Sequence, residues 1–326
     1  MTFSNQIGYT LLFNAIYILV QSVSNNIYGI SNNKYQKIIN GNRRTLGYKL
    51  SVWNCGRGLM QEGESSKFNE VKQFLHMEKP HCLAIIESDV FKLSSNVARG
   101  KKFSTSELHE VLKVDGFKLE LPNTWEVHSQ ARILCYVSEE INYSRRHSSP
   151  QFDHIPSITL DIGLGKASKT IVHYYYREWK NGVTGEDSQQ SQVEDLKLHI
   201  KQWTELVATG RSFISIGDAN LCAMSWNDLN YRHKELASIV QQFMVDESCF
   251  QMVHSPTRIQ IVGGILQQSC LDHVTTNVPE KCSLPEIIPA GSSDHLPVLI
   301  TKYSRELRSQ PKTIKKRSFP DHKKER

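Results

Sequence analysis

The chain has 326 residues, of which 39% are hydrophobic and 22% are charged, and this composition excludes a disordered, collagen-like or low-complexity protein. Residues 302–326 contain ten Lys/Arg and three Asp/Glu, so the net charge of +6 lies in the tail and the rest of the chain sums to −1. The seven cysteines include no Cys-x-x-Cys pair, which argues against a zinc ribbon and a disulfide framework and favours a reducing compartment. The length suits one large α/β domain.

Residues 1–47 are predicted to be a poorly ordered leader. Within them, residues 7–20 form an apolar run that is too short for a membrane-spanning helix. The run has the length of a signal-peptide core, but no Lys or Arg precedes it. We therefore expect an intracellular, nuclear protein, with secretion as the alternative. The folded domain is expected over residues 48–306, and residues 307–326 form a basic tail or linker that either contacts nucleic-acid phosphates or is simply solvated.

Two stretches share one pattern: a helix, a turn, a buried strand and an acid. In the first, apolar residues at helical spacing over 68–75 precede a proline, and the strand CLAII leads to Glu87. In the second, a helical stripe over 193–207 ends at a glycine, and the strand FISIG leads to Asp218. Because open α/β sheets build their sites at the carboxyl ends of neighbouring strands, both acids are expected at such an edge.

The remaining elements indicate that the sheets are mixed. A first strand is predicted at KLSVWN, a helical stretch at Tyr231–Phe250, and a last strand at LPVLITKY. Between the two repeated units lie the β-rich segments ARILCYV, PSITLDIG and TIVHYYY. Because no helix separates these strands, they are expected to pair antiparallel.

Polar side chains follow the predicted strands, and each has a structural interpretation beside a functional one. Glu87 is either a surface acid that ends its strand or an oxygen ligand for a hard divalent cation. Asp218 and Asn220, in IGDAN, either form an Asx turn or share a catalytic pocket. The Asp294–His295 pair, in GSSDHLPV, either belongs to a turn or handles protons.

The same two interpretations apply to the strand TIVHYYY and to the first strand. Asn54 ends the first strand, and Tyr176 ends the aromatic run, where tyrosine is more often a packing residue. Arg177 follows directly, at a point where a phosphate clamp would be useful. Individually these signals are weak, and their order along the chain is what makes them informative.

That order resembles the endonuclease/exonuclease/phosphatase superfamily, and most of all the endonuclease module of non-LTR (LINE-type) retroelements. The resemblance runs from about Lys49 to Glu306. The stretches that carry it are WNCGRGL, LAIIES, YYYREW, ISIGDANLCAMSWND, SPTRIQ, SCLDHVTTN and SSDHLPVLITKYSRE. It implies an α/β (α+β) fold of the deoxyribonuclease-I-like type, a four-layer sandwich in which two mixed β-sheets face each other with helices outside.

The resemblance also implies catalytic roles for residues at matching positions. Asp218 resembles the acid that acts on the attacking water, and Asn220 beside it resembles a residue that holds the phosphate. Tyr176 resembles a phosphate-contacting tyrosine. His295 looks like the histidine at the scissile phosphate, oriented by Asp272.

Metal and substrate contacts follow from the same likeness. The implied metal ligands are Glu87 and Asn54, with Asp294 as a further acid near the metal. Thr257 and Arg258, in SPTRIQ, resemble a segment beside the DNA groove. Arg177 departs from the pattern of several branches of the superfamily, and a substrate-binding role is expected for it.

The implied function is a Mg²⁺-dependent DNA endonuclease, with Mn²⁺ as a substitute, that nicks target DNA for a retroelement. Oxygen donors predominate in the ligand set, and the sequence shows no regular Cys/His zinc spacing. The expected partners are DNA and the reverse transcriptase part of a longer retroelement protein, with no membrane. The alternatives are a phosphoesterase of the same fold that acts on a small substrate and a non-catalytic nucleic-acid-binding relic.

Overall fold

The computed structural model describes residues 47–56, 59–60, 67–88, 104–122, 132–163, 169–179 and 186–303. The apolar run at 7–20 and the basic tail at 307–326 lie outside the described residues, so the predictions made for them stay predictions. Four α-helices lie within the described part: α1 (Lys67–Glu78), α2 (Thr105–Val111), α3 (Glu186–Val207) and α4 (Lys234–Asp246). None of these helices is long and apolar enough to cross a membrane.

Twelve of the strands form two six-stranded sheets. Sheet one has the order β13-β14-β1-β2-β4-β3, and sheet two has the order β5-β6-β7-β8-β12-β9. The strands of sheet one are β1 (Gly47–Asn54), β2 (Cys82–Ile86), β3 (Phe117–Glu120), β4 (Ile133–Ser138), β13 (Glu286–Ile287) and β14 (Val298–Tyr303). The strands of sheet two are β5 (Tyr143–Arg146), β6 (Ser157–Ile162), β7 (Thr170–Tyr176), β8 (Phe213–Asp218), β9 (Phe250–Gln251) and β12 (Asp272–Thr276).

Each sheet contains one parallel pair among antiparallel ones. In sheet one β1 runs parallel to β2, and in sheet two β7 runs parallel to β8. The other pairs of both sheets are antiparallel, including β1 with β14 and β8 with β12. The predicted mixed sheets are therefore confirmed.

The apolar residues divide into three clusters that define four layers. One cluster fills the space between the sheets, with aliphatic residues such as Val52, Ile86 and Ile216. A second joins α1 to the outer face of sheet one, and a third joins α3 and α4 to the outer face of sheet two. Because every sheet face is covered, the strands read as continuous apolar runs rather than alternating ones. This is the predicted four-layer sandwich.

Two local differences from the sequence predictions concern the second half of the chain. The predicted helical stretch Tyr231–Phe250 is a helix only over Lys234–Asp246, and Phe250 already belongs to β9. An additional hairpin, β10 (Arg258–Val262) with β11 (Ile265–Ser269), was not predicted. Its turn is Gly263–Gly264, where both residues have positive φ, and two-residue hairpin turns of this kind favour glycine.

Candidate active site

The candidate site lies where the two parallel pairs end. Asn54 is the last residue of β1, and Glu87 directly follows β2. Tyr176 and Asp218 end β7 and β8 and are register partners. Asp272 begins β12 opposite Asp218, because β12 runs antiparallel to β8. The strand ends therefore bring together five of the residues that the sequence singled out.

Asp218 is fully buried and accepts hydrogen bonds on both carboxylate oxygens. Its Oδ2 accepts from Asn54 Nδ2 at 2.8 Å, and its Oδ1 accepts from the backbone N–H of Asn220 at 2.7 Å. Burial and, to a smaller extent, the neighbouring Asp272 carboxylate raise the pKa of Asp218 to about 7, against the opposing effects of His295 and of the hydrogen bonds from Asn220 and Asn54. A carboxyl group that titrates near neutral pH is well suited to accept a proton from water.

His295 and Asp272 form a buried pair at the same place. The ring Nδ1 of His295 lies 2.9 Å from Asp272 Oδ2. Burial acts to lower the pKa of His295, but the carboxylates of Asp272, Asp218 and Asp294 together outweigh it and raise the pKa to about 9. The imidazole is therefore protonated near neutral pH, and its second N–H is available as a donor to an anion.

Asp218, Asp272 and His295 form a compact group, in which the two carboxylates are the candidate oxygen ligands of a divalent cation. Their ligand atoms lie within 4.8 Å of one another. Asp272 Oδ1 is buried and has no hydrogen-bond partner among the described residues. Two buried carboxylates side by side are costly unless a positive charge is near. The charged His295 imidazole offsets part of that cost, and a hard cation with oxygen ligands, such as Mg²⁺, would offset more of it.

Glu87, predicted as the direct metal ligand, is held by Tyr176. The Tyr176 hydroxyl donates to Glu87 Oε1 at 2.7 Å. Burial and the Glu87 carboxylate both raise the pKa of Tyr176, so the hydroxyl stays protonated. Glu87 lies outside the three-residue group described above, but its partner Tyr176 is the register neighbour of Asp218.

Asp294 and Arg258 lie at the edge of the site and form an ion pair. Arg258 Nε lies 2.6 Å from Asp294 Oδ2, and both side chains are partly exposed. Thr257, in contrast, is fully buried, and its Oγ1 accepts from the backbone N–H groups of Leu271 and Asp272. The structure therefore places Thr257 under the start of β12, where it fixes Asp272, and not on an accessible surface.

Arg177 is separated from this group. Its side chain is 1% exposed and donates to the Ala219 carbonyl and to Gln192, and its Nε lies 3.8 Å from Asp195. The proposed phosphate clamp is incompatible with this position, because successive side chains of a strand point to opposite faces. Arg177 faces α3, whereas Tyr176 faces the site.

Asn220 stabilises the turn after β8. Its φ of 48° is left-handed, a conformation that Asn tolerates better than most residues. The side-chain amide donates to the Arg177 carbonyl at 2.8 Å. The Asx-turn interpretation of Asp218 and Asn220 is thus confirmed by the bond from the Asn220 N–H, and it coexists with a position beside the group of acids.

Two residues at the site were missed in the sequence. Ser293 Oγ donates to the Asn54 carbonyl at 2.7 Å, and Arg132 Nη2 donates to the Tyr176 hydroxyl at 3.3 Å. Ser293 carried a signal, since it stands in the Ser-Ser-Asp-His motif. Arg132 precedes β4, and only the antiparallel pairing of β4 with β2 brings it to the end of β2.

Four pairs of side chains cross from sheet one to sheet two at this edge, and we call them the inter-sheet pairs. In each pair the first residue lies in a strand of sheet one or in the segment beside one, and the second lies in a strand of sheet two or just after one. They are Asn54–Asp218, Glu87–Tyr176, His295–Asp272 and Arg132–Glu178.

No model of a known protein family matches the sequence, and no curated protein matches it. Solved structures do match. The AP endonuclease LMAP from Leishmania major has a TM-score of 0.59 and 14% identity over 79% of this chain and 88% of its own. The 3′ phosphatase NExo from Neisseria, bound to a product DNA hairpin, has a TM-score of 0.54 and 13% identity over 79% and 99%.

An endonuclease/exonuclease/phosphatase family protein from Leptotrichia buccalis has a TM-score of 0.52 and 12% identity over 79% of this chain and 99% of its own. At such identities the likeness establishes the fold. The chain has the deoxyribonuclease-I-like fold of endonuclease/exonuclease/phosphatase proteins, as the sequence predicted.

Proposed function

We propose that the protein is a metal-dependent phosphodiesterase that nicks DNA. The observation that carries the proposal is the convergence of Asp218, Asp272 and His295, whose ligand atoms lie within 4.8 Å of one another at the edge of both sheets. Hydrolysis of a phosphodiester needs an activated water, stabilisation of charge on the phosphate and a bound cation. This group of residues contains a candidate for each task.

Asp218 is assigned to accept a proton from the attacking water, because its pKa of about 7 lets it alternate between its two forms. His295, charged and oriented by Asp272, is assigned to donate to a phosphate oxygen. Tyr176 is assigned to the phosphate as well. Metal binding is assigned to Glu87, Asn54 and Asp272, whose Oδ1 has no hydrogen-bond partner among the described residues, and a bound Mg²⁺ or Mn²⁺ would stabilise negative charge on the phosphate.

DNA is proposed as the substrate because structural neighbours with this fold include an AP endonuclease and a phosphatase bound to a DNA hairpin. We further propose that the domain nicks target DNA for a non-LTR retroelement, in a longer protein with a reverse transcriptase. This finer proposal rests on the motifs GDAN, SCLDHVTTN and SSDHLPV.

A nicking assay on supercoiled plasmid tests the proposal. We expect conversion to the open-circular form with Mg²⁺ or Mn²⁺ and none in EDTA. Asp246→Asn is the matched control for substitutions at the site, because Asp246 is an exposed aspartate at the end of α4. Hydrolysis of a small phosphodiester without nicking would favour the small-substrate phosphoesterase, and DNA binding without any hydrolysis would favour the non-catalytic relic.

A further inference from the structure

Arg132 contacts the site through its backbone. It directly precedes β4, and the backbone N–H of Glu87 donates to the Arg132 carbonyl at 2.9 Å. Glu87 has a φ of 53°, and a left-handed conformation is unfavourable for a residue other than glycine. The Arg132 carbonyl is therefore one of the groups that hold Glu87 in an unfavourable conformation.

Arg132 also contacts the site through its side chain. The guanidinium lies over the Tyr176 ring, 5.1 Å from the centroid, and Nη2 donates to the Tyr176 hydroxyl. The same nitrogen is paired with the Glu178 carboxylate. The Arg132 side chain is 11% exposed and Tyr176 is buried, so their contact is shielded from water, whereas Glu178 is 45% exposed.

These contacts determine where the Tyr176 proton points. A phenol oxygen carries one proton and accepts hydrogen bonds through its lone pairs. Since the oxygen accepts from Arg132, its own proton is directed at Glu87 Oε1, 2.7 Å away. The orientation of the Glu87 carboxylate thus depends on a chain of two hydrogen bonds that begins at Arg132.

We propose that Arg132 is a positioning residue, which aims the Tyr176 hydroxyl at Glu87 and thereby orients the Glu87 carboxylate for metal binding. The inference rests on the proposed function in one respect, that Glu87 is a metal ligand. Outer-shell partners of this kind typically change metal affinity or activity about 10–100-fold when they are removed.

The test is a double-mutant cycle on Mn²⁺ affinity, measured by calorimetric titration without DNA. We expect Arg132→Met to weaken Mn²⁺ binding about tenfold. In the background of Tyr176→Phe the same substitution should have almost no further effect, because the hydroxyl through which Arg132 acts is already gone. Arg132→Lys, which retains a charged donor, should recover part of the affinity.

Arg146→Met is the matched control, because Arg146 also forms an ion pair with a carboxylate, Asp161, but on β5 and β6. It should leave Mn²⁺ affinity unchanged. Wild-type affinity in Arg132→Met, or additive losses in the double mutant, would overturn the inference. If Arg132→Met does not fold, the same cycle with Arg132→Gln, which removes the charge and is too short to reach the Tyr176 hydroxyl in the same way, decides.

The two proposals fail in different ways. A wild-type protein that binds Mn²⁺ but never hydrolyses a phosphodiester contradicts the proposed function, while the Mn²⁺ cycle still decides the role of Arg132. A wild-type protein that nicks DNA but shows no effect of Arg132→Met on Mn²⁺ affinity contradicts only the positioning role.

Discussion

Two regions of sheet two bury polar side chains, and they differ in how those side chains are paired. The first region is on the face of sheet two that packs against sheet one. There Tyr176, Asp218 and Asp272 are each hydrogen-bonded to the other member of their inter-sheet pair. On the opposite face, under α3, a polar row crosses four strands in register. Its members are Thr159, His173, Ser215 and Thr275.

The polar row under α3 has few hydrogen-bond partners. Thr159 Oγ1 pairs with His173 Nδ1, but several buried polar atoms nearby have no hydrogen-bond partner among the described residues. They include His173 Nε2, Tyr175 Oη, Trp203 Nε1 and Ser215 Oγ. Burial lowers the pKa of His173 to about 3, and the charge of Arg145 adds to this effect, so the imidazole is neutral.

Buried polarity alone therefore does not identify a functional site in this protein. Two of the paired residues, Asp218 and His295, have pKa values raised to about 7 and about 9, whereas burial lowers the pKa values of His173 under α3 and of His199 on α3. The useful signal is the combination of pairing across the two sheets with groups able to exchange a proton near neutral pH.

The largest expected effect is a loss of nicking rate when a member of the inter-sheet pairs is substituted. Asp218→Asn retains the shape of the side chain but removes the proposed proton acceptor, and His295→Ala removes the proposed donor to the phosphate. We expect each to lower the single-turnover nicking rate about 10²-fold or more with little change in DNA affinity. The double variant should lose less than the product of the two losses, because both groups serve one phosphate.

Exposed residues provide the controls for these two substitutions. Asp246→Asn and His76→Ala are the same chemical changes at exposed positions on α4 and α1. Both should nick at the wild-type rate. A near-normal rate in folded Asp218→Asn, verified by its melting temperature, would refute the proposed mechanism.

Tyr176 and Arg177 are consecutive residues that face the two different regions, so a substitution at each tests one region at a time. The first of these substitutions is Tyr176→Phe. The hydroxyl that holds Glu87 is lost while the buried ring stays, so we expect a loss of about 10–100-fold in metal-dependent nicking. The melting temperature should change little. Raising the Mn²⁺ concentration should recover part of the rate, and a rate that no concentration improves would argue against a role through Glu87.

Arg177→Met is the corresponding change one residue further on, where the side chain faces α3. The substitution leaves the Ala219 carbonyl and Gln192 without a buried donor. We expect the free energy of unfolding to fall by about 1–3 kcal/mol, measured by chemical denaturation. Nicking per folded molecule should stay close to wild type, and a selective loss of DNA affinity would restore the phosphate-clamp interpretation.

The smallest expected effect is on how stability depends on pH. His173 has a folded pKa of about 3, below its ordinary value of 6.5, so below pH 6.5 the unfolded chain takes up a proton that the folded chain does not. Stability should therefore fall by about 1.4 kcal/mol per pH unit from this residue as the pH decreases. His173→Gln should remove that part of the slope between pH 6.5 and pH 5.

The contribution of Asp218 to stability changes with pH in the opposite direction to that of His173. One experiment can therefore distinguish the two regions. Its folded pKa of about 7 exceeds its ordinary value of 3.8, so between these values the folded chain holds the extra proton. Its contribution to stability increases as the pH falls through 7. In EDTA, Asp218→Asn should steepen the loss of stability on acidification while His173→Gln should reduce it. If the free energy of unfolding depended on pH equally in both variants, the opposite pKa shifts assigned to His173 and Asp218 would be contradicted.

The sequence predicted the sheets and most of the site because the relevant signals are local. Glu87 and Asp218 each stand at the end of an apolar strand that follows a helix, as the sequence predicted. The two strands are not neighbours in one sheet, however, and their ends meet because the two sheets pack face to face. The hairpin of β10 and β11 was not predicted, although the sequence contains its signal, because a Gly-Gly pair between two β-rich runs strongly favours a hairpin turn.

The features that could not be predicted depend on which strands pair and on which face of the sheet each side chain points to. All seven residues of β7 are buried, so the run TIVHYYY contains no polar alternation that would distinguish the face of Tyr176 from that of Arg177. Arg132 reaches Tyr176 only because β4 pairs with β2, and Thr257 supports Asp272 from a loop 15 residues away along the chain. Contacts of this range leave no periodic trace in the sequence.

The inter-sheet pairs have a consequence for the order of events during synthesis of the protein. Neither sheet contains both members of any pair, so a chain with only one sheet formed has no assembled site. His295 lies just before β14, the strand that pairs with β1 at the other end of the folded region. A nascent chain therefore cannot assemble the inter-sheet pairs until almost the entire domain has left the ribosome, and a copy that ends before His295 lacks the pair of His295 with Asp272.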